Sequence, residues 1–310
     1  MKNIKVLSVN VSEKKGTIKH PVKSITINDK GVINDAHSGN WHRQVSMLGV
    51  ESIKKFSKEA KRKINYGEFA ENITTQGFIL YKSAILDRFE INDVMLEVTQ
   101  IGKECHGIKC AIYKEVGNCV MPKEGIFCRV IKSGTIKADD EIIYHPKVFK
   151  IGIITLSDRA SSGEYADRSG PKIQEHITNH FSVNNRKTEI DYTLIPDDQL
   201  LLKKKLTEYK KKKIDLIFTT GGTGIGSKDF TVDVIKPMLD KEIPGIMEFI
   251  RYKYGSEKPN ALISRSVAGL INKTLIFTLP GSLKAVDEYM AEITKVINHL
   301  ILMIHDIDAH

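Results

Sequence analysis

Up to Lys147 the apolar residues come in short bursts, and after it they fall into a slower rhythm. The early runs KVLSVNV, KSITIN, VMLEVTQI and IFCRVIKSG are separated by Gly, Asn and Asp turns, which predicts a mostly-β, closed or barrel-like domain. One helix is predicted to interrupt it over residues 45–61, where Met47, Val50, Ile53 and Phe56 keep helical spacing. In YHPKVFK, Pro146 interrupts any ladder and the run IGIITL begins at once, so the chain divides into residues 1–146 and 147–310. Beyond the boundary, strands at 149–156, 188–194, 214–220 and 275–279 alternate with helices at 170–181, 199–212, 231–239, 244–254 and 283–305. That alternation predicts an α/β fold whose parallel sheet is covered on both faces.

Composition agrees with two domains: 310 residues with 41% hydrophobic content can build buried cores. No stretch approaches the roughly 18 unbroken apolar residues of a membrane span, and the opening MKNIKVLSVNVSEKKG lacks a signal-peptide core. A cytoplasmic address without a membrane partner is expected. The net charge of +9 is uneven, with 24 basic against 17 acidic residues up to Lys147 and 23 against 21 after it. An anionic ligand or partner of the first domain would use that surplus, and lysine as a solubiliser would also account for it. The run KKKLTEYKKKK places Leu201, Leu202, Leu206 and Tyr209 at helical offsets, which reads as a solvated helix face rather than a nucleic-acid patch.

Candidate chemistry concentrates in FTTGGTGIGSKDFT. Gly221, Gly222, Gly224 and Gly226 follow an apolar run, yet their spacing fits neither the dinucleotide fingerprint nor the P-loop. In an open parallel sheet ligands bind beyond the carboxyl ends of the strands, where LSDRASSGEY, TTGGTGIGSKD and LPGS are predicted to lie. Glycine lets backbone N–H groups converge on an anion, and a following helix adds its positive end. Asp229 stands at a helix entrance and Asp197 in LIPDDQLL past another strand; either could be a helix cap. If both share one sheet edge, two carboxylates facing a phosphate loop suit Mg²⁺.

LSDRASSGEYADRSGP, IPDDQ, TTGGTGIGSKDFTVDVIKPMLDKEIPGIMEFIR, ALISRSVAG and LPGSLKAVDE together resemble the molybdopterin-binding domain of molybdopterin adenylyltransferases, the MogA/MoaB family, over nearly all of 150–304. The resemblance implies a three-layer α/β domain, commonly trimeric. It also implies a reaction in which molybdopterin and ATP give adenylylated molybdopterin and pyrophosphate with Mg²⁺. The positions matching the catalytic, metal-facing acids are Asp197 and Asp229. Those matching the ligand-binding loops are Ser157, Asp158, Gly221, Gly222, Thr223, Gly224, Pro280, Gly281 and Ser282.

The four cysteines, Cys105, Cys110, Cys119 and Cys128, fall within about two dozen residues, unlike a disulfide framework. A thiolate at Cys105 would be favoured by Lys103 or His106 if the side chains converge. Alternatively Cys105, His106, Cys110 and Cys119 could gather a metal, although the two close pairs of a zinc ribbon are missing, or the cysteines could be buried and inert. NWHRQV and its surroundings offer His37, His42 and Arg43 for a phosphate or pterin, or as ordinary loop residues, and Asn72 reads as a turn or strand-end residue.

GVINDAHSGNWHRQVSML, FAENITTQGF, MLEVTQIGKECH and EGIFCRVIKSGTIKADDEI are similar to MOSC domains, β-rich modules of molybdenum cofactor sulfurases, over most of 4–143. The resemblance implies that Cys105 carries sulfur or meets the molybdenum cofactor. Lys103 and Glu104 stand where that family has an arginine and a proline. The two resemblances together point to a two-domain enzyme of molybdenum cofactor biosynthesis, with other molybdenum cofactor proteins as partners. A non-catalytic carrier or scaffold for the same pterin is the alternative.

Overall fold

Seven strands of the first unit close on themselves in the computed structural model, which describes residues 3–104 and 119–307. This unit runs to Lys147 and a second begins at Val148. Its strands are β1 (Ile4–Val11), β2 (His20–Val22), β3 (Ser24–Asn28), β4 (Gly31–Val32), β5 (Val45–Gly49), β6 (Ile73–Gln76), β7 (Arg88–Ile91), β8 (Val94–Ile101), β9 (Ile126–Lys132), β10 (Gly134–Lys137) and β11 (Glu141–His145). The ring runs β1-β6-β5-β9-β8-β7-β11 and returns to β1, with β2 outside it on β1, while β3, β4 and β10 form a separate small sheet. An odd number of strands cannot alternate direction all the way round, so one parallel pair is obligatory. That pair is β5 and β6, and helix α1 (Val50–Glu59) lies in the crossover a parallel connection needs.

The helix expected over 45–61 is thereby corrected: Val45–Gly49 is a strand, and helix begins only at Val50. Met47 joins a cluster with Val6, Ile73, Phe89 and Ile126, whereas its neighbour Leu48 joins a second cluster with Ile53, Phe56, Phe69 and Met121 of helix α2 (Met121–Glu124). Adjacent residues reach two different cores only from an extended chain whose side chains alternate. A strand buried on both faces loses the alternation that would have identified it.

The second unit contains β12 (Val148–Leu156), α3 (Asp158–Ser161), α4 (Ser169–Val183), β13 (Lys187–Ile195), α5 (Gln199–Lys211), β14 (Leu216–Thr220), α6 (Thr231–Ile235), β15 (Lys241–Glu242), α7 (Pro244–Gly255), β16 (Ala268–Ile271), β17 (Thr274–Leu279) and α8 (Leu283–Ile304). Its sheet has the order β13-β12-β14-β17-β16-β15, the first four strands parallel and the last two joined antiparallel. Ile154 and Leu156 of β12 cluster with Leu202, Leu206 and Tyr209 of α5 and with Val232 and Ile235 of α6. Phe149, on the opposite pleat, meets Phe181 of α4 with ring centroids 4.8 Å apart, and α4 packs with α8. The result is the expected three-layer α/β arrangement.

Two details depart from the sequence pattern. The last two strands of the sheet, β16 and the edge strand β15, have no counterpart in the sequence pattern, being only 4 and 2 residues long. Leu201 stands 38% exposed, off the buried stripe of α5 that Leu202, Leu206 and Tyr209 form. Lysines of the same helix and its end are engaged locally: Lys205 and Lys212 pair with Asp191 and Glu208.

Candidate functional site at the carboxyl edge of the parallel sheet

Parallel registry carries four chain segments to one rim. Leu156 pairs with Ile195, Thr155 with Thr220, and Thr220 with Leu279, so β12, β13, β14 and β17 all end at the same edge. The loops that follow open onto a cleft of 770 Å³ whose lining includes Ser157, Asp158, Asp197, Gly222, Asp229, Gly281 and Ser282. A second cleft, of 720 Å³, is lined by Gly221, Gly222, Thr223, Gly224, Asp229, Pro280, Gly281 and Ser282. Every residue singled out in this half therefore lines one cleft or the other. Gly222, Asp229, Gly281 and Ser282 line both.

The glycine loop is held by its backbone. Gly221 has φ +102°, and a Cβ there would lie 2.3 Å from the Leu156 carbonyl oxygen, so neither the dihedral nor the space admits a side chain. Thr231 Oγ1 donates to the Gly221 carbonyl at 2.9 Å, and Arg265 Nε donates to the Gly224 carbonyl at 2.7 Å while its guanidinium pairs with Asp233. Between these anchors residues 225–228 are exposed. Anchored flanks and an open tip suit a loop that meets a ligand.

Neither acid of interest caps a helix. Asp198, not Asp197, caps α5, its Oδ1 accepting from the N–H groups of Leu200 and Leu201 at 2.7 and 2.9 Å. Asp197 Oδ2 instead accepts the Asp158 N–H at 3.1 Å, and Asp158 Oδ1 accepts the Asp197 N–H at 2.9 Å. Asp229 Oδ2 accepts the Gly226 N–H at 2.8 Å, and α6 begins after Phe230 without a side-chain cap. Both carboxylates thus brace loops that line the cleft.

Sequence reasoning missed several neighbours. Lys228 reaches across 70 residues of sequence to Asp158 Oδ2 at 2.5 Å, and this contact, with the Asp197 N–H second, holds the Asp158 carboxyl below the usual carboxylate range. Asp167 accepts from Thr155 Oγ1, the Tyr192 hydroxyl and the N–H groups of Ser169 and Gly170, which fixes the start of α4 at the rim. The Tyr192 hydroxyl is pushed above the ordinary tyrosine range by burial and then by Asp167. Arg159, Tyr165 and Arg168 also line the first cleft. All of them sit in or beside motifs already noted, but no spacing rule distinguishes a rim residue from an ordinary loop residue.

In the first unit a cleft of 390 Å³ is lined by Lys15, His37, Trp41, Arg43, Ser46, Phe69, Asn72, Lys103, Met121 and Phe127, among others. His42 is outside this lining. The Arg43 guanidinium lies 4.7 Å from the Trp41 ring centroid, and its buried Nε lacks a partner among the described residues. Asn72 does more than end a loop: it is buried, its Oδ1 accepts from the Ser46 N–H and hydroxyl, and its Nδ2 donates to the Asn10 carbonyl. Below the cleft, Lys19 and Asp35 form a buried ion pair. Burial disfavours both charges, but hydrogen bonds from His37 and Lys19 outweigh it at Asp35 and hold that carboxyl far below its ordinary range.

Cys105, His106 and Cys110 lie outside the described residues. Cys128 is in the barrel core, its Sγ 3.8 Å from Met47 Sδ, and burial pushes its thiol far above the usual range, so it is inert in this setting. Among the described residues there is no group of three or more His, Cys, Asp or Glu side chains arranged to hold a metal. No described helix is long and apolar enough to cross a membrane.

Comparison with known proteins follows this division. Residues 152–299 match the family described as Probable molybdopterin binding domain, and residues 34–143 match the family described as MOSC domain. The molybdopterin adenylyltransferase of Pyrococcus furiosus is 34% identical over 160 residues, which is 50% of this chain and 91% of that protein. Gephyrin of Dictyostelium discoideum is 37% identical over 161 residues, and the matched region is 50% of this chain and only 22% of gephyrin. The crystal structure of tungsten cofactor synthesizing protein MoaB from Pyrococcus furiosus aligns at 35% identity with a TM-score of 0.46, covering 51% of this chain and 98% of that one.

Proposed function

The chain belongs to the molybdopterin adenylyltransferase family, and from that premise we propose that its second half transfers AMP from ATP to molybdopterin while its MOSC domain binds or modifies the same cofactor. The observation that carries the reading is the meeting of Asp197, Asp229 and the anchored glycine loop in one cleft at the carboxyl edge of the sheet. In the reaction a phosphate oxygen of the pterin attacks the α-phosphorus, the bond to the bridging oxygen breaks, and pyrophosphate leaves with the electron pair. The protein's task is to position anions and neutralise charge developing on them. Two long helices, α4 and α8, begin beside the first cleft at Ser169 and Leu283, where their positive ends favour phosphates. Two clefts that share Gly222, Asp229, Gly281 and Ser282 fit a reaction of two substrates whose phosphates meet at the junction.

With no group of three or more metal-holding side chains among the described residues, the cleft suits Mg²⁺ carried in on substrate phosphates better than a cation caged by protein alone. Asp197 and Asp229 would hold the ion, which would neutralise phosphate charge. Purified protein given molybdopterin, ATP and Mg²⁺ is expected to release pyrophosphate. A carrier would bind the pterin, seen by calorimetry, and release none.

For the MOSC domain, the basic side chains Lys15, Arg43 and Lys103 around aromatic Trp41, Phe69 and Phe127 fit a planar anionic pterin, and the orphaned Arg43 Nε offers a donor. Cys105→Ser is expected to weaken molybdenum cofactor binding or sulfur handling and to leave pyrophosphate release unchanged. Equal behaviour of variant and parent in cofactor binding would make that cysteine structural.

A further inference from the structure

We propose that Tyr165, with Arg159 beside it, is the stacking platform for the adenine base of ATP in the first cleft, an inference that rests on the adenylylation reading and deepens it. Most of the cleft's lining is polar or charged, including Asp158, Asp167, Asp197 and Asp229. Carboxylates favour phosphates only with a cation between them, and none of these walls gives a flat heteroaromatic ring a face to lie on. Tyr165 is the one aromatic side chain among the described lining residues, and it is 42% exposed.

Its orientation is set from two sides. The hydroxyl shares a hydrogen bond of 3.1 Å with the Ser157 hydroxyl, and Ser157 is itself fixed by accepting the Ala160 N–H as the cap of α3. The Arg159 guanidinium lies 5.2 Å from the ring centroid, so two planar groups that each stack on bases stand together at the cleft. An exposed ring held in place loses less freedom on binding than a mobile one.

The base belongs here rather than in the neighbouring cleft because of what surrounds it. Triphosphate is the more highly charged of the two substrate ends, and in the first cleft Arg159, Arg168 and the N-termini of α4 and α8 can take it up, Lys228 being paired with Asp158, and Asp197 and Asp229 acting through the cation they would hold. In the second cleft the aromatic residue is Tyr289, only 3% exposed, whose buried hydroxyl has no partner among the described residues. That ring presents no face for a base to stack on.

Calorimetric titration of the full chain with ATP and with inorganic tripolyphosphate tests the assignment. Tyr165→Ala is expected to weaken ATP binding about tenfold, the scale of one base–aromatic stack, and to leave tripolyphosphate binding as in the parent. Tyr165→Phe keeps the ring and is expected to retain ATP affinity, and in turnover the alanine change should raise the KM for ATP far more than it lowers kcat. The platform is overturned if Tyr165→Ala binds ATP like the parent, if it loses both ligands equally, or if Tyr165→Phe fails as badly as alanine. A parent protein that binds ATP but releases no pyrophosphate would remove the adenylylation reading and leave the platform standing, whereas a parent that binds no ATP removes both.

Discussion

Asp229→Asn is expected to lower pyrophosphate release on the order of a hundredfold, the usual scale for removing one electrostatic stabiliser from a phosphoryl or acyl transfer site, and to leave the fold intact. The amide is nearly isosteric with the carboxylate, and its carbonyl oxygen can still accept the Gly226 N–H that Asp229 Oδ2 accepts at 2.8 Å. The loop bond therefore survives while the charge proposed to hold Mg²⁺ against the substrate phosphates is lost. Asp229→Ala removes both, and because the carboxylate also packs against Gly224, where an added Cβ would lie 2.7 Å from Asp229 Oδ2, it should disturb the loop as well. A coupled pyrophosphate assay run beside thermal melts separates the two effects. Parent-like turnover in Asp229→Asn would take this acid out of the chemistry and leave it as a brace for the glycine loop.

How much of this was legible depended on whether local pattern or tertiary meeting decided it. The rim could be read in advance because a parallel sheet sends every strand's carboxyl end to one edge, so loops far apart in sequence had to meet. Asp197 and Asp229 thus fell in one cleft, while the cap of α5 went to Asp198, one residue along, a choice no composition rule makes. Strand β5 was mistaken for the first turns of a helix because burial on both faces erases its period. Lys228 and Asp158 form a contact between two loops that only folding joins. Tyr165 looked like any residue of a polar loop until the remaining walls of its cleft proved to lack another ring.

The least legible feature was a lysine that never reaches water. Lys19, to which no sequence motif points, has a fully buried side chain, and its partner Asp35 is 1% exposed. Asp35→Asn is expected to destabilise the first unit by about 3–5 kcal/mol at pH 7, because it leaves a buried ammonium without its counter-charge. The aspartate also accepts the N–H groups of Ser12 and His37, each at 3.0 Å, and the amide can serve only part of that set. Denaturant melts across pH give the claim a second edge. Asp35's folded pKa lies below its ordinary value, with His37 and Lys19 prevailing over burial. Its stabilisation is therefore complete above the unfolded carboxylate pKa of about 3.9 and is lost as pH falls below it. Asparagine does not titrate, so the gap between parent and variant should narrow between about pH 5 and pH 3. A gap that stays constant over that range would mean the cost comes from packing rather than charge. The consequence for the proposed function runs through His37, whose Nδ1 lies 3.4 Å from Lys19 Nζ and whose ring lines the cleft of the MOSC domain: loosening the pair frees a wall of that cleft, so the cofactor binding proposed there should weaken at denaturant concentrations where the barrel is still folded.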